Sequence, residues 1–92
     1  MSVFVIIAPA PSNPKLQAAI NLHYPKNHCE LYENQWLVSG AETVQEICKK
    51  LRIDTEPDNS GSAIVLSVAS YWGVANPNVW EWLKVNWEKS GG

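Results

Sequence analysis

Ala63-Ile64-Val65-Leu66-Ser67-Val68-Ala69-Ser70-Tyr71-Trp72-Gly73 is the stretch on which the fold turns. Ile64, Leu66, Val68 and Trp72 take every second position, interrupted once by Ser70, while Ala63, Val65, Ser67, Ala69 and Tyr71 fill the alternate ones. A period of two marks a strand with its larger apolar set on the core. The expectation is one long strand over 63–73, with Ile64, Leu66, Val68 and Trp72 facing inward, stopped by the breaker Gly73.

Upstream, Asp54 to Gly61 is polar and holds both a proline and a glycine, which reads as a loop. Before it, Val44, Ile47, Cys48 and Leu51 recur at i, i+3, i+4, i+7, the clearest helical stripe in the chain. Two starts fit that helix: a capping box at Ser39-Gly40-Ala41-Glu42, or an alternative at Thr43-Val44-Gln45-Glu46. Further back lies a hairpin, with strands His28–Tyr32 and Gln35–Ser39 around a Glu33-Asn34 turn. Asn tolerates the left-handed backbone that a tight turn requires. The first of these strands is short and polar, as an edge strand tends to be. Asn13-Pro14 gives a cap and a first-turn proline for a helix over Pro14–Leu22, with Leu16, Ala19 and Ile20 on one face. Val3 to Ala8 is apolar on both faces and rich in β-branched residues, which suits the middle of a sheet.

Downstream, Asn76-Pro77 repeats the cap-then-proline signal. Val79, Trp80, Leu83 and Trp87 predict the inward side of a helix over about 77–88, with Trp82 and Val85 off that stripe. So short a helix is not stable alone in water and must dock. Lys89-Ser90-Gly91-Gly92 is expected to fray.

The order β-α-β-β-α-β predicts an α+β, ferredoxin-like domain: a four-stranded antiparallel sheet with two helices on one face, plus a C-terminal Trp-rich helix. The first and third strands are expected inside the sheet, and the second and fourth at its edges. One domain spanning 1–92 is expected from the length.

At 46% hydrophobic and 17% charged, the chain has a globular composition rather than a disordered one. Its net charge of −2 argues against broad binding to nucleic acid, which depends on Lys and Arg. Lys49, Lys50 and Arg52 form the one local basic cluster, placed to complement a helix C-terminus. The apolar run at Val3–Ala8 is shorter than the ~20 residues of a membrane span. With no signal peptide and no disulfide pattern, the expectation is a cytoplasmic protein.

Taken together, the N-terminal strand, the helix carrying Leu16 and Ile20, "ENQWLVSG", "TVQEICKKL" and "SAIVLSVASYWG" resemble the small SinR-like proteins. Those are similar in fold to the endonucleases of CRISPR spacer acquisition. The resemblance covers residues 3–73 and leaves the Trp-rich tail outside. It implies a ferredoxin-like fold, and a defence- or phage-related adaptor or inhibitor would fit it. The nuclease relatives carry a metal-holding aspartate at the end of the first strand. Here that place reads Ile7-Ala8-Pro9, so the resemblance argues against metal-dependent cleavage.

The acids sit on the hairpin (Glu30, Glu33), on exposed helix faces (Glu42, Glu46) or in the 54–61 loop, where solvation is the ordinary reading. His23, His28 and Cys29 are neighbours, but His28 and Cys29 point to opposite strand faces and cannot grip one ion. Nothing supplies an orienting group for a Cys29 nucleophile. No cofactor, metal or catalytic residue is expected. Five tryptophans remain, four of them between Trp72 and Trp87. Tryptophan and tyrosine enlarge cores and also anchor interfaces. Tyr71, Trp72, Trp80, Trp82 and Val85 are therefore the candidate partner-binding residues.

The function these readings favour is a non-enzymatic protein-interaction module, a homodimer through its long apolar edge strand, with another protein as a further partner. A divergent metal-dependent nuclease of the CRISPR-acquisition type is the alternative from the enzyme class. A nucleic-acid binder that does not cleave, stacking bases on Tyr71, Trp72 or Trp82, is a third. A diglycine end also occurs in conjugation tails, but an ordinary terminus explains it as well.

Overall fold

The computed structural model describes residues 2–9, 14–53 and 62–89. The elements are β1 (Ser2–Ile7), α1 (Pro14–His23), β2 (His28–Tyr32), β3 (Gln35–Gly40), α2 (Val44–Leu51), β4 (Ile64–Ser67) and α3 (Pro77–Lys89). The described residues make an α+β arrangement: four antiparallel strands in the order β2-β3-β1-β4, with three helices. β1 and β3 are central, β2 and β4 are edges. The Asn13 cap, the 54–61 loop and the fraying at Ser90–Gly92 lie outside the described residues.

β1 is apolar on both faces because helices pack on both, fully on one and in part on the other. Phe4 and Ile6 join Trp36 and Val38 of β3 beneath Leu16 and Ile20 of α1 and Ile47 and Leu51 of α2. Val3, with Leu37 of β3, packs under Val79 and Leu83 of α3 on the opposite face. The helices therefore sandwich the sheet, two on one side and one on the other.

Local chemistry sets the boundaries. Thr43, not Ser39, caps α2: its hydroxyl accepts from the Glu46 N–H, and the Glu46 carboxylate accepts from the Thr43 N–H at 2.9 Å. Ser39 is unavailable as a cap because it belongs to β3 and pairs with Val3. The hairpin turns at Glu33-Asn34, where Asn34 has φ 60°. Its carbonyl accepts from the Ala8 N–H, and its amide Nδ2 donates to the Pro9 carbonyl, so the turn is tied to the end of β1. A bulge at Leu31 shifts the β2–β3 register between Glu30 and Tyr32.

The expected long strand over 63–73 is shorter in the structure, covering Ile64–Ser67. A strand extends only as far as its neighbour does. β4 pairs with β1 from Ile7↔Ile64 to Phe4↔Ser67, the Val68 N–H donates to the Val3 carbonyl, and β1 is bounded at Ser2. The orientation differs as well. Ala63 and Val65, the smaller set, pack against the main core, while Ile64 is 61% and Leu66 47% exposed. Val65 is paired with Ile6, and that pairing places it on the face of α1 and α2. Ile64 and Leu66 consequently share the face of α3, which packs chiefly on β1 and β2 and leaves both of them exposed.

Candidate functional site

After Val68 the chain leaves the sheet and crosses to α3, carrying the aromatic pair Tyr71-Trp72. Gly73 lies in this crossing with φ 149°, in open space where an added Cβ would meet nothing within 4 Å. The backbone conformation alone accounts for a glycine there. The crossing folds Tyr71 onto α3. Its ring centroid lies 5.4 Å from that of Trp80 and 5.2 Å from that of Trp87, the second edge-on. Trp80 and Trp87 are seven residues apart and so share one flank of the helix. Trp72 meets Trp80 edge-on at 6.3 Å but is otherwise 95% exposed. Tyr71, Trp72 and Trp80, with Leu31, Val79 and Leu83, line an open apolar groove of about 280 Å³, and no charged side chain among the described residues enters it.

Of the candidate partner-binding residues, Tyr71, Trp72 and Trp80 meet at this groove. Trp82 and Val85 lie elsewhere, lining a second groove of about 400 Å³ with Lys26, Asn78, Glu81 and Asn86. Of the expected stripe of Val79, Trp80, Leu83 and Trp87, all but Trp80 pack on the cluster under α3, and Trp82 joins them there. Among the described side chains of α3 the buried ones are Val79, Leu83 and Asn86, and both Trp82 and Trp87 pack against the same cluster. Val79, Trp82, Leu83 and Asn86 form the i, i+3, i+4, i+7 set. Trp82 therefore does not project away from the sheet. The polar Asn86 disguised the stripe, and Val85 is the residue left facing outward.

The interface under α3 is imperfectly satisfied. The Asn86 amide donates to the Trp82 carbonyl at 2.9 Å, but Asn86 Oδ1, Trp82 Nε1 and Ser39 Oγ are buried without a partner among the described residues. On the other face the equivalent groups are paired. Trp36 Nε1 donates to Gln17 at 2.9 Å, and the Tyr24 hydroxyl donates to Glu42 at 3.3 Å. Lys50 forms an ion pair with Glu42 and lies 5.0 Å from the centre of the Tyr24 ring. The hydrogen bond from Lys50 holds the Glu42 carboxyl below its usual range, despite an opposing push from burial. Burial, then the nearby Glu42, holds the Tyr24 phenol well above the usual tyrosine range.

Sequence reasoning missed the apolar strip beside α3. Ile7 at the end of β1 and Ile64 and Leu66 of β4 are exposed together on that face. The signal was present in the alternation of β4 and was assigned to the wrong side. His28 pairs with Val38 and Cys29 with Leu37, so the two sit on opposite faces. Burial pushes both cysteine thiols upward, which favours the protonated form over a nucleophilic thiolate. Among the described residues no three His, Cys, Asp or Glu side chains converge as metal ligands, and no helix is long and apolar enough to cross a membrane. No family model, no curated protein and no solved structure matches the chain.

Proposed function

We propose that this chain is a protein-interaction module, without catalytic activity of its own, that works as a homodimer. The observation that carries the reading is the unfinished covering of the α3 face. Ile64, Leu66 and Ile7 on the sheet and Trp72 beside it remain exposed, although α1 and α2 close the opposite face. Large apolar groups gathered at one surface mark interaction sites. Tyr71, Trp72 and Trp80 belong to the same reading as rigid aromatic anchors, the residue types that dominate interface energetics. Trp82 and Val85 contribute from the second groove.

The same proposal includes a ferredoxin-like arrangement. The β-α-β-β-α-β order and the inner placement of β1 and β3 support it, with α3 added on the face that such an arrangement leaves open. A SinR-like relationship remains part of this proposal, resting on the stretches quoted above.

Sedimentation velocity across a micromolar concentration series tests the function. Reversible self-association is expected, and a monomer at every concentration contradicts the reading.

A further inference from the structure

Within the homodimer reading, on which this step rests, the hydrogen-bond pattern of β4 determines how two copies can meet. The Val68 N–H donates to the Val3 carbonyl, which makes that pair a hydrogen-bonded one. Antiparallel ladders alternate, so Leu66 with Val5 and Ile64 with Ile7 are also hydrogen-bonded pairs. Val65 and Ser67 therefore turn their N–H and C=O groups away from β1, toward the outer edge. No described backbone bond outside the ladder engages them.

The side chains restrict the register further. Residues directly opposite each other in an antiparallel pair lie on the same face. A second β4 can thus be added only in registers that place Ile64 and Leu66 against the same set of its copy. The strand Ile64-Val65-Leu66-Ser67 is short but carries no charge, and a charged side chain, above all lysine, is one device by which edges avoid pairing. A charged partner would find nothing there to read, whereas a second copy meets its own alternation of large apolar groups and experiences no repulsion.

We propose that two copies pair antiparallel along β4, with the twofold axis at Val65. Val65 then faces Val65 of the second copy and exchanges both backbone bonds with it. Ile64 of each copy lies opposite Leu66 of the other, and Ser67 opposite Ala63. Two four-stranded sheets become one of eight, and the exposed strip of Ile7, Ile64 and Leu66 becomes continuous across the axis. Ile64 and Leu66 of the two copies bring together well under the ~1,200 Å² at which stable interfaces begin. The backbone of the paired strands adds to this, so the dimer is weak and concentration-dependent.

The test is a charge exchange read by sedimentation. Leu66→Lys and Ile64→Glu are each expected to weaken self-association at least about tenfold, because each buries a charge against an aliphatic partner. Both positions are half-exposed or more in one copy, and thermal melts of the variants should show a folded protein. Mixing the two variants in equal amounts should restore the dimer, since position 64 of one faces position 66 of the other. A register centred on Leu66 would instead set position 64 opposite Val68 and give no restoration. If the wild type dimerises but Leu66→Lys does so equally well, or if the mixture stays monomeric, the β4 pairing is overturned while the homodimer reading stands. A monomeric wild type overturns both.

Discussion

On the face packed by α1 and α2, Ile6, Leu16, Ile20, Ile47 and Leu51 are fully buried and Trp36, Tyr24 and Glu42 have hydrogen-bond partners. On the face packed by α3, the buried aliphatic set is Val3, Leu37, Val79 and Leu83, and three buried polar atoms lack partners among the described residues. Both faces belong to the same two central strands. The difference comes from what covers them. Two helices with clean apolar stripes close one face, whereas one helix, broadened by tryptophans and carrying a buried asparagine, covers part of the other. A sheet face closed in this way supplies stability. The partly covered one retains surface for association.

Substitutions on the closed face should have the largest effect. Ile47→Ala removes a fully buried side chain between α2 and the sheet, and a loss of ~2–5 kcal/mol is expected in chemical denaturation. Leu83→Ala on α3 should cost less, about 2 kcal/mol, because the partly covered face can relax around the cavity. Equal losses at the two positions would erase the contrast between the faces. Trp82→Ala should behave like Leu83→Ala, since both lie on the docking stripe, and a variant that kept full stability would reject this orientation of α3.

Ser39→Ala sharpens the comparison in the opposite direction. Its hydroxyl is buried beneath α3 without a partner among the described residues, so removing it should raise stability, by up to ~1 kcal/mol. The same substitution would be costly if that hydroxyl were satisfied.

The smallest effect concerns pH. Glu42 has a depressed pKa in the folded state, owing first to Lys50. Its contribution is present above the usual carboxylate range and is lost as pH falls through the folded value. Glu42→Gln should therefore flatten the acid limb of the stability profile, lowering stability by a constant amount at neutral and alkaline pH and converging with the wild type at low pH. The pair is partly exposed, which limits the difference to under about 1 kcal/mol.

The sequence carried the element order because each element has a local signal. Pro14 and Pro77 begin helices at the first described helical residue, Asn34 takes the left-handed turn, and α2 shows its stripe in four apolar residues. What it did not carry depends on neighbours. The length of β4 is limited by the start of β1, which is far away in the chain. The inward side of β4 is set by its pairing with β1, and alternation alone does not say which of two apolar sets faces the larger core. The rotation of α3 was obscured by Asn86, a polar residue at a buried position, and by tryptophans at so many helical positions that several stripes fitted. The candidate aromatic cluster was legible for Tyr71, Trp72 and Trp80. The exposed strip at Ile7, Ile64 and Leu66 was not.

Amide hydrogen exchange at two protein concentrations tests most directly the claim that the partly covered face and its β4 edge serve association. In the monomer, the N–H groups of Val65 and Ser67 point outward and should exchange quickly, while those of Ile64 and Leu66 are held by β1. Raising the concentration should protect Val65 and Ser67 selectively. If those two amides exchange equally fast at every concentration while the protein sediments as a dimer, the copies meet elsewhere and the assignment of this edge is wrong.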